Sequence, residues 1–320
     1  MATNSALPEG RRTTTLGSFV RGCLEAAGLG AEDALTVARA MLEADVMGIH
    51  RYGMAWLPDI VGRLLAGGSN PSPHVEIVRR FGIVTVLDAD DALGVVAMRH
   101  AVGVALDAVR PSGFSCVAIR RSGEIGAAGR YVGEIAQRGL VGMLMASGPR
   151  RLLPFGGLSP EVGDAAWAIA APDVERPVVM DIGFAEDAGE VRPSAPFAAH
   201  KGYGLALVAG VMAGVLSGER DSASDVSDDM PEGLGQLLIV LDPQQFRAQQ
   251  EYDQSMADLK GALRGSRLMA GAKRISLPGE IEEEAEGNED LPAPSPDLLE
   301  RLAALGHEYG VTFPAFEVET

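Results

Sequence analysis

Apolar residues near the start of the chain recur at helical spacing. Ala34, Val37, Ala38, Met41 and Leu42 fall on one stripe of a 3.6-residue period, which predicts a helix over residues 32–47. Similar spacing predicts helices over 16–27 and 56–65, the latter closed by Gly67 and Gly68. Past residue 74 the pattern changes. Apolar runs at 75–80 and 83–87 flank Phe81 and Gly82, which predicts a hairpin. An amphipathic helix over 95–109 follows, closing before Pro111. Strand 114–120, helix 127–137 and strand 141–146 form a strand-helix-strand unit, and short strands follow at 167–171 and 177–181. Residues 202–216 read as an apolar helix rich in small residues, expected to be largely buried against a sheet or a partner subunit. A buried-type strand at 237–241, a polar helix over 244–263 and a last helix over 296–309, with Ser295 as N-cap, complete the series. This alternation predicts an α/β fold with a mixed central sheet. Residues 1–12 read as a disordered leader, 13–72 with 290–320 as a helical domain, and 73–289 as the α/β domain.

Composition narrows the class. The chain has 320 residues and is 47% hydrophobic but only 5% aromatic, so its core must be built from Ala, Val, Leu, Ile and Met. A net charge of -17 argues against nucleic acid and anionic membranes as partners and leaves a small molecule. The acidic runs at 219–232 and 280–290 read as solvated loops. Two distant cysteines, Cys23 and Cys116, make no disulfide framework and fit a reducing cytoplasm. No signal peptide is expected, and the most apolar stretch, 205–216, is too short to span a bilayer and is interrupted by Gly210 and Gly214.

Several chemistries lack their motifs. No Gly-x-Gly-x-x-Gly joins a strand to a helix; residues 202–207 come closest and lack the third glycine. No Walker loop and no Gly-x-Ser-x-Gly elbow is present. The five histidines are scattered without metal-ligand spacing, so no metal is expected.

Against this background one segment stands out, from Ala44 to Pro58, with Arg51, Tyr52 and Gly53 at its centre. Others follow in order: Ser122 to Tyr131, Pro154 to Gly157, Val179 to Asp181, His200 to Leu207, Leu216 to Gly218 and Leu277 to Glu280. Together they resemble the malate/L-lactate dehydrogenase family of the non-Rossmann type, which includes sulfolactate, ureidoglycolate and cyclic-imine reductases, over about residues 16–311. The resemblance implies an L-sulfolactate dehydrogenase-like fold, a helical layer drawn from both chain ends, and a homodimer. It also implies an extended NAD(P) near the subunit boundary, with a histidine handling the proton. Ser147, Asp181 and Lys201 match positions that contact the dinucleotide in that family; alternatively Asp181 caps a strand end and Lys201 anchors the turn before a helix.

The departures gather where the chemistry belongs. Tyr52 stands where the family has histidine, and Glu124 replaces a second one. The family's Gly-Thr-Asn-Pro is Gly163, Asp164, Ala165 and Ala166 here, and the stretch between Asp181 and Lys201 is shortened. A neutral tyrosine and a desolvated glutamate suit proton transfer. These departures therefore predict a non-redox acid/base enzyme, for isomerisation, elimination or cyclisation, with specialised biosynthesis as its expected setting and no cofactor. Tyr52, Glu124 and Ser122 would be catalytic; Arg51, Arg121 and Phe155 would bind substrate, Phe155 also desolvating Glu124. The alternatives are an NAD(P)H-dependent 2-keto acid or cyclic-imine reductase with Tyr52 as proton donor, and a non-catalytic dimeric binding protein.

Overall fold

The computed structural model describes residues 11–183, 199–218, 233–280 and 294–314. Most of the expected leader, both acidic runs and most of the shortened segment after Asp181 lie outside them. A helix already begins at Arg11, inside the expected leader.

The chain opens with α1 (Arg11–Ala26), α2 (Ala31–Val46) and α3 (Leu57–Leu65), joined by two 3-10 turns, His50–Tyr52 and Met54–Trp56. The stripe read from the sequence is the buried one: Ala34, Val37, Ala38, Met41 and Leu42 are at most 1% exposed. Strands β1 (Glu76–Phe81) and β2 (Val84–Ala92) form the expected hairpin, with Phe81 opposite Val84. Helix α4 (Gly94–Ser112) takes Pro111 into its last turn and stops at Gly113, whose left-handed φ of 68° closes it. Then come β3 (Phe114–Ser122), α5 (Ala128–Ala136), β4 (Val141–Ala146), the short pair β5 (Arg150–Leu152) and β6 (Val162–Gly163), β7 (Ala166–Ala171) and β8 (Val178–Gly183). Helix α6 (Ala199–Gly210), β9 (Leu234–Leu241), α7 (Gln249–Arg264) and α8 (Pro296–Tyr309) complete the described elements. Ser295 caps α8 as expected, its Oγ accepting from Leu298 N at 3.3 Å.

Seven strands form one mixed sheet in the order β1-β2-β3-β9-β4-β7-β8. Among the described strands only β2 and β3 pair in parallel; β9 lies between β3 and β4, antiparallel to both. The register places Ser122, Leu234, Ala146, Ala166 and Gly183 along one end of the sheet. Strands β2, β3, β4 and β8 all finish there, and that end carries the site.

One face of the sheet is covered by α4 and α5. Its core runs without a break into the helical layer, from Leu16 and Met41 through Met98 and Ile119 to Leu302 of α8. Both chain ends build that layer: Phe19 of α1 packs edge-on against Phe313, ring centroids 4.9 Å apart. The other face carries a smaller core of Met145, Leu152, Val162, Ala165 and the small residues of α6.

Residues 202–216 depart from expectation. They form α6 and then a π-helical turn, Val211–Val215, and only one side is buried. Ala206, Ala209 and Ala213 face the sheet, while Leu207, Val208, Val211, Val215 and Leu216 are 44–77% exposed. Gly235 explains the close packing. A Cβ there would lie 2.1 Å from the Ala213 carbonyl oxygen, so the helix backbone rests directly on β9.

Candidate active site

The turn carrying Tyr52 is built around one buried carboxylate. Asp45, at the end of α2, is 4% exposed. Its Oδ2 accepts from Met54 N at 2.8 Å, and its Oδ1 lies 3.1 Å from His50 Nδ1. Gly53 is required between them, because a Cβ there would stand 1.9 Å from Asp45 Oδ1. Burial raises the Asp45 carboxyl above its ordinary value, against the lowering effect of the Met54 and His50 contacts.

Tyr52 faces the loop that follows β3. Gly126, at φ 73°, would bring a Cβ to 4.0 Å from Tyr52 Cβ and 3.5 Å from Trp56. The loop is fixed from below: Tyr131 OH donates to the Ile125 carbonyl at 2.7 Å, and Gln236 Nε2 donates to the Gly123 carbonyl at 3.2 Å. Glu124 sits half-buried between these two anchors. The start of α4 presses on the same loop, where a Cβ on Gly94 would meet the Gly123 and Glu124 carbonyl oxygens at 2.2 and 2.4 Å.

Four ionisable groups converge here. Arg51 Nη2 donates to the Tyr52 hydroxyl, and its guanidinium carbon lies 4.3 Å from the Tyr52 ring centroid. Burial, then the negative charge of Glu124, push Tyr52 up to about 12, against the pull of Arg51. Asp164 acts in the same upward direction. Burial weakens the Arg51 guanidinium, but Tyr52, Asp164 and Glu124 outweigh it and raise it overall. The strand end at Gly183 closes the far side, its absent Cβ 3.7 Å from Arg51 Nη2. Behind Tyr52 is a narrow, mainly apolar pocket lined by Ala44, Met47, Trp56, Val95, Ile125 and Tyr131.

The structure thus brings Arg51, Tyr52 and Glu124 together and adds Asp164, which sequence reasoning had noted only as a departure from the family pattern. Asp164 is 5% exposed, with Arg151 Nη1 at 3.8 Å. Three other expectations change. Arg121 is committed elsewhere: Asp88 accepts from Nη1 at 3.0 Å, and Asp90 and Asp91 accept from Nη2 at 3.2 and 2.6 Å. Phe155 is 67% exposed and packs edge-on against His200, centroids 5.9 Å apart, rather than serving as a buried wall. Ser122 is 2% exposed and its Oγ donates to the Gly123 carbonyl at 3.4 Å, so it belongs to the loop's support.

The three positions matched to dinucleotide contacts lie at or near this end of the sheet. Ser147 follows β4 and clamps it to β9, accepting from Gly235 N at 3.0 Å. Asp181 is exposed on β8, and its Oδ2 accepts from Gly129 N at 2.6 Å at the start of α5, so it caps a helix rather than a strand. Lys201 is exposed in the first turn of α6. An extended dinucleotide needs bare backbone for close approach and polar atoms to hold it. Gly123 and Gly148 serve close packing of the protein's own backbone, against Gly94 N and the Asp164 carbonyl oxygen, but Gln236 Oε1, buried behind Gly123, has no hydrogen-bond partner among the described residues. That unpartnered buried oxygen, with exposed Asp181 and Lys201 at the same end of the sheet, fits the group.

Fold and site together define a mixed-sheet α/β protein of non-Rossmann type, with a charged cleft at the sheet end where β2, β3, β4 and β8 finish. The chain belongs to the Malate/L-lactate dehydrogenase family, which it matches over residues 12–192 and 184–291. It is 29% identical over 303 residues to the ureidoglycolate dehydrogenase (NAD(+)) of Escherichia coli strain K12, covering 83% of this chain and 86% of that protein. It is 26% identical over 290 residues to the L-sulfolactate dehydrogenase of Methanocaldococcus jannaschii, covering 80% and 84%. Malate dehydrogenase from Pyrococcus horikoshii OT3 has the same fold, with a TM-score of 0.88 and 24% identity over 93% of this chain and 95% of that one. The curated relatives are dehydrogenases, which favours an oxidoreductase over the non-redox enzyme expected from the residues alone.

Proposed function

We propose that this chain is an NAD(P)-dependent oxidoreductase that reduces a small 2-oxo or 2-imino acid. The family match over nearly the whole chain carries this reading, because it includes every element that builds the cleft. It replaces the expectation that no cofactor is used. Ser147, Asp181 and Lys201, together with the unpartnered Gln236 Oε1, would hold the dinucleotide, which supplies the reducing equivalents when bound. Arg51 has the charge and the planar fork to hold the substrate carboxylate.

The proton work falls to residues other than histidine. Tyr52 stays protonated across the physiological range because burial and Glu124 raise it to about 12. Its hydroxyl oxygen accepts from Arg51, which leaves its own O–H to donate to the substrate. For a 2-oxo acid Tyr52 would deliver the proton and Arg51 would stabilise the negative charge left behind. Glu124 faces the same space and can take or return a proton.

The exposed apolar strip of α6 fits a second copy of the chain, in line with the homodimer the family resemblance implies. A reducing cytoplasm remains the expected compartment; no helix among the described residues is long and apolar enough to cross a membrane. The test is oxidation of NADH or NADPH followed at 340 nm with a panel of 2-oxo and 2-imino acids. Turnover with any of them supports the reading, and loss of that turnover in Tyr52→Phe and Glu124→Gln assigns the residues. Absence of turnover across the panel, with no dinucleotide bound, would return the site to the non-redox reading.

A further inference from the structure

Strands β2 and β3 reach the site through adjacent irregularities. Ile119 pairs with Gln236 and Ser122 with Leu234, so Arg120 and Arg121 together stand opposite Gly235 alone. On the other side Asp88 pairs with Arg120 and Ala92 with Ser122, so residues 89–91 stand opposite Arg121 alone. An extra residue in a strand bends it and reverses the side that its later residues address. Both bulges use left-handed backbone, with φ of 55° at Asp90, 58° at Asp91 and 52° at Arg121. Aspartate tolerates that region. A long side chain such as arginine enters it rarely, at a cost that surrounding contacts must offset.

Those contacts are present. The Arg121 guanidinium donates to Asp88 at 3.0 Å, to Asp90 at 3.2 Å and to Asp91 at 2.6 Å. The aspartates are fixed in turn. Asn70 Nδ2 and His74 N both donate to Asp90 Oδ2, at 2.9 and 3.1 Å, and Arg120 Nε donates to Asp88 Oδ2 at 3.1 Å. Arg121 and its three aspartates are at most 33% exposed, so water screens these pairs less than it screens a surface pair.

Both chains leave the bulges toward the site. Three residues past Asp91 is Gly94, and three past Arg121 is Glu124. The two meet: a Cβ on Gly94 would lie 2.4 Å from the Glu124 carbonyl oxygen, and a Cβ on Gly123 would lie 3.4 Å from the Ala92 carbonyl oxygen. Slippage of either bulge therefore moves Glu124 relative to Tyr52, on which its charge acts.

We propose, on the reading that Tyr52 and Glu124 serve one substrate, that Arg121 is a positioning residue. Its ion pairs with Asp88, Asp90 and Asp91 lock the two bulges in register and so aim residues 123–126, and Glu124 with them, at Tyr52. Arg121 acts through Glu124 and not on the substrate.

The test reads the approach of Glu124 to Tyr52 without needing turnover. The full-length protein is labelled with 3-fluorotyrosine, and among its five tyrosines the Tyr52 fluorine resonance is assigned by its loss in Tyr52→Phe. Arg51, Glu124 and Asp164 all act on Tyr52, so the step that Glu124 contributes as pH crosses the carboxylate range is the part removed by Glu124→Gln. Wild type should show that step. Arg121→Ala should cut its amplitude about twofold or more, as a doubled charge separation does. Asp91→Asn, which keeps the side-chain shape and removes the closest charge, should cut it less. Arg121→Gly accepts left-handed backbone without strain and should fall between Arg121→Ala and wild type. If Arg121→Ala fails to fold, the other two variants carry the test. A wild type with no Glu124 step, or a step unchanged in every folded variant whatever its melting temperature, overturns the proposal. The reductase reading fails separately. A protein that shows these changes but binds no dinucleotide keeps the role of Arg121 and loses redox chemistry; one that binds dinucleotide with the step unmoved loses only the positioning role.

Discussion

Gly53→Ala should be among the most damaging single-methyl changes in the chain. The new Cβ would sit 1.9 Å from Asp45 Oδ1 and 2.2 Å from Asp45 Cγ, well inside any contact distance. Asp45 cannot yield cheaply, because its carboxylate is buried and receives the Met54 N–H at 2.8 Å. Either the turn opens and that bond is lost, or the carboxylate moves into apolar surroundings. Overpacking of this kind costs about 1–3 kcal/mol, and a stranded buried polar group about 1–3 kcal/mol more. A combined loss of roughly 2–6 kcal/mol follows, read as a lower urea midpoint by circular dichroism. Gly62→Ala is the control. It is exposed inside α3 with nothing within 4 Å of its Cβ position, and should stabilise by about 0.5–1 kcal/mol. Because Tyr52 precedes Gly53, the Gly53→Ala protein should also lose most turnover while still folded. A Gly53→Ala protein within about 0.5 kcal/mol of wild type would refute the idea that a close fit around Asp45 fixes the turn.

Three further outcomes follow from named contacts. Lys260 and Asp173, whose side chains are at most 8% exposed and 2.5 Å apart, tie α7 to the loop after β7, so Lys260→Met should cost about 1–3 kcal/mol near pH 7 by removing the carboxylate's charged partner while the Glu175 and Arg176 N–H groups still reach it. Burial pushes Asp173 up, but Lys260 and the Arg176 and Glu175 N–H groups outweigh it and lower it below 3.8. Its contribution is therefore present above the ordinary carboxyl value and lost as pH falls through the lowered one; the Lys260→Met penalty should shrink in urea melts run toward that pH. Glu124→Gln should lower turnover by about 10²-fold or more if Glu124 handles a proton, with Tyr52→Phe losing less if Tyr52 only orients. Light scattering at micromolar concentration should report twice the chain mass, and a stable monomer would count against α6 as the subunit contact.

Much of the fold was legible because local rules and tertiary packing agree. The 3.6-residue stripe of α2 is its buried face, and the apolar runs around Phe81 and Gly82 do form a hairpin. The insertion of β9 between β3 and β4 was not legible. It depends on pairing residues more than 90 positions apart, such as Met143 with Ile239, which no local pattern specifies. Residues 202–216 misled for a related reason. An apolar helix looks the same whether its outer side meets a sheet or another subunit. Arg121 looked available because its partners Asp88, Asp90 and Asp91 lie at least 30 residues earlier and reach it only across the β2–β3 pairing. Asp164 was visible as an acid in place of a family threonine, but only the meeting of β4, β7 and β8 at one sheet end shows that it faces Arg51 and Tyr52.

Binding of the dinucleotide tests the central claim most directly. Titration calorimetry of the full-length protein with NADH and with NADPH should give a dissociation constant in the micromolar range and one site per chain for at least one of them. Lys201→Ala and Asp181→Ala should weaken it while the melting temperature without ligand stays close to wild type for Lys201→Ala. No heat of binding with either dinucleotide at millimolar concentration, from protein shown to be folded, would contradict the account.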